Sequence, residues 1–273
     1  MEFIIALVTG LAAGTHTSTW GMYKDSPHEG FTYRQYFRSI IIGAILGPVI
    51  WQISGLELTR AANIFLLFGA IYAMERLMLE FYKTFLREQD QSKYTIPMQF
   101  AVFGKVVKSR SARLTVGFLY ISSVLLVGAG IYYLQTLDLG LPGLLVVFIV
   151  GSAGGWISAF GGAWKDAPIE GFQIFKFFRS PAVAFFYALL ASLFTQNYLL
   201  ITLCGIGYTV ASIETYKTFF FPSKPRGKFA NTPIHFPEML KKRQWFVPVY
   251  VLIWVMIITT FVIAYMQPHE GLI

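Results

Sequence analysis

The chain alternates long apolar stretches with short charged ones. The apolar runs lie at about 3–22, 39–56, 61–82, 114–134, 142–163, 180–195, 198–218 and 246–266. None alternates with the period of two that a membrane barrel strand requires. Most approach the roughly 20 residues that carry a helix across a bilayer, and inside hydrocarbon a helix satisfies its own backbone. The pattern predicts an all-α polytopic integral membrane protein of about eight transmembrane helices, the sixth run being short enough to be re-entrant. The first run contains Glu2 and no Lys or Arg before Lys24. It lacks the basic start of a secretory signal and reads as a retained helix.

Composition narrows the class further. Of 273 residues 55% are hydrophobic and 13% charged, against about 25% charged in an average soluble domain. Mean hydropathy is +0.57. Eight spans use up this length, so no large extramembrane domain is expected. The single cysteine, Cys204, excludes a disulfide framework and an iron–sulfur or multi-cysteine zinc centre built by this chain alone.

The basic residues are placed very unevenly. Segments 23–38 and 164–179 carry three Lys or Arg each (Lys24, Arg34, Arg38; Lys165, Lys176, Arg179), and segments 83–113 and 217–243 carry seven each. Twenty of the 22 therefore fall in alternate connections, with Arg60 on the other side and Arg76 inside the third run. The positive-inside rule places these connections in the cytoplasm and both termini outside, most simply in a cytoplasmic (inner) membrane. Topology then explains the net charge of +8, so the expected partners are membrane lipids rather than nucleic acid. A homo-oligomer or a larger membrane complex stays open.

The chain is internally duplicated. Gly21 to Ser39 (GMYKDSPHEGFTYRQYFRS) aligns without gaps on Gly162 to Ser180 (GAWKDAPIEGFQIFKFFRS), with ten of nineteen positions identical. Chance matching at about 6% per position would give about one. Glu80 to Phe85 matches Glu214 to Phe219 at five of six positions, and Pro97-Met-Gln-Phe100 more weakly matches Pro233-Ile-His-Phe236. Between the first two motifs the second copy is shorter by about two helical turns. Each copy holds four spans, 1–136 and 137–273, and an even number keeps both the same way up. The expectation is two parallel four-helix repeats about an axis along the membrane normal.

The repeated motifs are rich in candidate chemistry. In Lys24 to Phe31 and Lys165 to Phe172, a Pro and a Gly predict a surface turn. That turn carries Asp25 and Glu29 beside Lys24, and Asp166 and Glu170 beside Lys165. The simplest role is a Lys–Asp lock at the interface, and the functional alternative is a gating or cation-binding cluster. Arg38 and Arg179 begin the following spans as snorkelling anchors able to hold a phosphate. Glu80 and Lys83, like Glu214 and Lys217, are three apart and share a helix face as ion pairs. Were Asp25, Glu29, Glu80, Asp166, Glu170 and Glu214 to converge, they would attract a divalent cation or titrate as one coupled group.

Differences between the copies point to added function. His16, within Thr15-His16-Thr17-Ser18-Thr19, aligns with Ile157, while Glu75 and Arg76 align with Thr209 and Val210, and His28 with Ile169. Ionisable residues inside a span mark function by default, although Arg76 and Glu80, four apart, can neutralise each other. Ile96 to Arg110, with Phe236 to Arg243 as a shorter counterpart, reads as a basic helix lying on the membrane. The phosphate loop, G-x-S-x-G, H-E-x-x-H and dinucleotide fingerprints are all missing. The sequence thus leads first to a transporter, flippase or channel-like protein with a pathway between the halves. The rivals are a lipid transferase or kinase with a carboxylate-held metal, and a structural subunit.

Overall fold

In a computed structural model, which describes residues 1–94, 98–222, 229 and 232–273, with the side chains of 93, 165, 166 and 168–170 also left out, the protein is all-helical apart from one small hairpin. The long helices are α1 (Glu2–Glu29), α2 (Tyr33–Ser54), α3 (Ala61–Phe81), α4 (Arg110–Thr136), α5 (Gly143–Glu170), α6 (Ile174–Ser192), α7 (Tyr198–Phe219) and, after a short α8 (Met239–Lys242), α9 (Val247–Met266). Among the described residues six stretches are long and apolar enough to cross a membrane: Tyr33–Ser54, Arg110–Thr136, Gly143–Trp164, Ile174–Ser192, Tyr198–Phe219 and Met239–Met266. The sixth run is a full 19-residue helix. Helices α1 and α3 are not among the six, and they bury His16, Thr17, Thr19 and Glu75 against their neighbours.

Small residues set the packing. On α1, Gly10 and Gly14 face α2, where a Cβ on Gly10 would sit 2.1 Å from the Gly43 carbonyl oxygen and one on Gly14 2.3 Å from that of Ser39. The backbones touch, and no larger side chain fits. On α5, 141 residues on in each case, Gly151 meets Ala188 and Gly155 meets Ser180 and Ala184. A third close approach joins α3 to α7, where a Cβ on Gly207 would lie 2.1 Å from the Gly69 oxygen and 3.2 Å from the Ala73 nitrogen. Aromatic rings fill in around it: Phe65 stacks on Tyr208, whose hydroxyl donates to the Phe65 carbonyl at 2.8 Å. Helix α9 closes over α1 and α3, whereas α4 lies at the periphery with most of its apolar side chains exposed.

The Lys24-to-Phe31 segment departs from the expected turn. Helix α1 runs through it to Glu29 with Pro27 inside, and the chain reverses only at Gly30, φ 80°. Proline cannot donate to the carbonyl four residues back, but that carbonyl, Tyr23, accepts instead from Arg243 Nη1 at 3.0 Å. The Pro27 carbonyl, exposed by the helix end, accepts from the backbone N–H groups of His235 and Phe236 at 2.9 and 3.0 Å. The segment before α8 thus caps α1 and makes the longer helix possible. In the second copy α5 likewise continues to Glu170 and ends on Gly171, φ 76°.

The basic amphipathic helix expected in 96–110 is replaced by a hairpin. Residues 95–97, with Pro97 of the weak third motif, lie outside the described residues. Strands β1 (Ala101–Val102) and β2 (Lys105–Val106) pair antiparallel. Phe103 and Gly104, both at positive φ, form the two-residue connection that suits strand twist. The counterpart at 236–243 holds only the four-residue α8. The expected shortening of the second copy is spread over two helices: α6 ends three residues sooner after Ser180 than α2 does after Ser39, and α7 has three fewer residues ahead of Glu214 than α3 has ahead of Glu80.

Candidate functional site

The ends of α1, α3 and α7 that carry Lys24, Lys83 and Lys217 come together, and this charged end of the bundle holds most of the polar side chains singled out by sequence. Lys24 Nζ donates to Glu214 Oε2 at 2.8 Å, joining α1 to α7, and Lys217 reaches Glu214 Oε1 at 3.5 Å. On α3, Arg76 Nη2 pairs with Glu80 Oε1, which Lys83 also approaches at 3.3 Å. The internal pairings of the Glu-x-Tyr-Lys motifs therefore form. Lys24 thus makes an ion pair across to Glu214 on another helix.

Trp20 links these pairs to the interior. Its ring carries Lys24 Nζ at 5.3 Å and Arg76 Cζ at 5.1 Å, and its Nε1 donates to the Tyr72 hydroxyl at 2.8 Å. That hydroxyl lies 3.0 Å from His16 Nδ1, so it can accept from the indole and give its own proton to the imidazole. His16 is fully buried, stacked on Tyr250 at 4.1 Å with Trp254 and Phe68 at its edges, and its Nε2 has no hydrogen-bond partner among the described residues. The Tyr250 hydroxyl shares a 2.6 Å hydrogen bond with Thr215, to which Trp254 Nε1 donates at 3.1 Å.

Glu75 lies outside this network. It is fully buried and makes no ion pair among the described residues. The charges acting on it are Arg76, Lys83 and Glu80, together with Arg38 of α2, and the Ser39 side chain of α2 is its hydrogen-bonding neighbour. Arg76, its sequence neighbour, is directed to Glu80 instead. A buried carboxylate without an ion pair is costly when ionised and is suited to taking up and releasing a proton or a cation.

The remaining candidates lie further out. Asp25 is half-buried, and Glu29 lines a surface cleft with Phe31, Tyr33, Phe236 and Trp245. His28 is buried, with Nδ1 2.9 Å from the Pro233 carbonyl oxygen and its ring stacked on Phe229, as a helix-end brace. The side chains of Lys165, Asp166 and Glu170 lie outside the described residues. Among the described residues no three His, Cys, Asp or Glu side chains are arranged to hold a metal ion. Glu80 and Glu214, expected as part of a six-carboxylate set, are each committed to two cations.

Sequence reasoning missed Trp20, Tyr72, Thr215 and Tyr250. Trp20 follows His16 and precedes Lys24 by four residues, and Tyr72 precedes Arg76 by four, so the helical spacing was a usable signal for the first two. The other two are brought in only by the way α7 and α9 fold over α1. Set against protein-family models, curated proteins and solved structures, the chain matches none at a significant level.

Proposed function

We propose that the protein is a small membrane transporter of eight spans in two parallel four-helix halves, in which Glu75 exchanges a proton or a cation as the halves move. The observation that carries this reading is Glu75 itself, fully buried in a helix, with the Ser39 side chain beside it and no ion pair among the described residues. Helices α1 and α3 count as spans because they are long enough and neighbouring helices shield their polar groups. Three matches support the halves: the glycine contacts recur 141 residues apart, both Lys-Asp helices end on a Gly at positive φ, and Ala73 meets Gly207, its aligned position, at the α3–α7 contact. Equivalent residues touch only near the axis that relates them.

The Lys24–Glu214 pair spans the halves, so it must break and re-form if they rock, and the closed α3–α7 contact is one end state of that cycle. A metal-dependent lipid enzyme is the weaker reading because Glu80 and Glu214 are already held by cations.

Cys204 tests the proposal in the unmodified protein. It is fully buried between α7 and α3, its thiol donating to the Leu66 carbonyl at 3.3 Å. A transporter whose halves part must expose it transiently. In sealed proteoliposomes a membrane-impermeant methanethiosulfonate should label Cys204 slowly, and Glu75→Gln should change the labelling rate several-fold. No labelling in either form over hours, with complete labelling after denaturation, would mean a static packed subunit.

A further inference from the structure

The end of α1 and the segment around α8 leave a cleft between them at the charged end of the bundle. Gly30 turns the chain out of α1 at φ 80°, and Thr32 caps α2, its side chain accepting from the Gln35 N–H. Phe31, held between these two, packs edge-on against Tyr33 at 5.1 Å and lies tilted to Phe246 at 6.1 Å. The opposite wall is pinned to α1 by the backbone bonds of His235 and Phe236 to the Pro27 carbonyl. It brings the Phe236 ring across Gly30, with Cζ 3.2 Å from where a Cβ would stand. The cleft measures about 780 Å³ and opens at the surface, a size within the ~300–1,000 Å³ of small-molecule sites.

Its lining is aromatic with a few charges. Phe31, Tyr33, Phe236, Trp245 and Phe246 supply the rings, and among the described residues the charged side chains are Glu29, Glu238 and Lys242. The lining is therefore net acidic on a chain of net charge +8. Ring faces and carboxylates both attract a cation, yet a cleft so wide and so aromatic does not suit a bare metal ion, which needs oxygen ligands on every side. A substituted ammonium suits it, with alkyl groups against the rings and charge towards the carboxylates. Lys242 adds a donor for a phosphate joined to that ammonium. Trp245 and Tyr33, 83% and 71% exposed, are of the two residue types enriched at the headgroup level of a bilayer. The other half is built differently. Phe100, aligned with Phe236, packs on Trp164 at 5.0 Å, a Cβ on Gly171 would meet no heavy atom within 4 Å among the described residues, and the positions aligned with Glu238 and Lys242 are Val102 and Val106. The rings and charges of this cleft are thus an addition to the repeated scaffold.

We infer that the cleft between Phe31 and Phe236 binds a substituted ammonium group. Its source is the headgroup of a zwitterionic phospholipid, with the phosphate at Lys242, or a quaternary ammonium ion free in solution. The inference does not rest on the transport reading, since a subunit or an enzyme could hold the same group.

The test uses the full chain in nanodiscs of phosphatidylglycerol, with and without added phosphatidylcholine, compared by thermal unfolding and by native mass spectrometry of retained lipid. Choline chloride is titrated against sodium chloride at constant ionic strength, with the uncharged isostere of choline, in which carbon replaces nitrogen, as control. Phosphatidylcholine should be retained in preference to phosphatidylglycerol and should raise the unfolding midpoint. Apparent affinity should fall about threefold or more in Trp245→Leu and in Glu238→Gln, the loss of one exposed cation–π or charge contact. Lys242→Gln should weaken retention of phosphatidylcholine and leave any choline response unchanged, because its partner is the phosphate. Trp245 and Glu238 are both exposed, so without ligand these variants should unfold with wild type; the contrast between choline and its isostere needs no variant at all. A response to phosphatidylcholine alone identifies a lipid headgroup, and a response to choline as well identifies the free cation. No response to either, an equal response to the uncharged isostere, or an undiminished response when Trp245→Leu and Glu238→Gln are combined overturns the site.

Discussion

At the scale of single residues, the charged end turns on which polar atoms are satisfied and by whom. Pro27 deprives the Tyr23 carbonyl of its helical donor, and Arg243 replaces it while lying over the Tyr23 ring and bonding the Pro222 carbonyl. The two residues should therefore be coupled. Arg243→Ala alone should cost ~1–3 kcal/mol by leaving a buried acceptor unsatisfied, whereas in a Pro27→Ala background, where the helix can close its own bond, the cost should be smaller. A double-mutant cycle read by thermal or denaturant unfolding measures the difference, and strictly additive effects would reject the coupling. Glu75 and Arg76 behave differently from each other despite adjacency. Glu75→Gln removes a charge that makes no ion pair among the described residues and should leave the fold intact. Arg76→Gln strips Glu80 of one cation and should lower stability, by ~0.5–2 kcal/mol for a partly exposed pair that keeps Lys83. Unfolding of the two single variants checks this ordering.

At the scale of elements, α1 and α2 are held by backbone contact. Adding one methyl at Gly10 places it 2.1 Å from a carbonyl oxygen, which nothing but separation of the helices can relieve. Gly10→Ala should destabilise by ~1–3 kcal/mol, as overpacked sites do, while Gly21→Ala, with no heavy atom within 4 Å of the added carbon, should be neutral or slightly stabilising through helix propensity. Unfolding midpoints of the two variants give the comparison, and equal effects would discount the close contact. Helix positions were legible from hydropathy to within a few residues at their apolar cores, but α1 and α5 run seven residues beyond the apolar runs at their charged ends. Hydropathy registers the apolar stretch, and a helix continues past it wherever its terminal carbonyls find donors, as Pro27 does in His235 and Phe236. The hairpin at 101–106 was hidden for a related reason: the Phe-Val-Lys spacing fits a helix face, and the positive φ of Phe103 and Gly104 decided otherwise.

At the scale of the whole molecule, the distribution of Lys and Arg predicts orientation. Tags at either terminus should be accessible from outside without permeabilisation, and access only after permeabilisation would reverse the topology and with it the cytoplasmic placement of the charged end.

What the sequence determined by itself is what depends on local composition and repetition. Eight helical segments, the duplication, the Glu–Lys pairs three apart and the Arg76–Glu80 pair four apart all follow from spacing along one helix. The tertiary structure alone decided the rest: that Lys24 meets Glu214 190 residues away, that His16 stacks on Tyr250, and that Glu75 is fully buried beside Ser39 of α2. These depend on which faces of α1, α2, α3, α7 and α9 turn towards one another. Glycine and alanine stripes set that choice through backbone contact, and the satisfaction of buried polar atoms is a property of all the packed helices together.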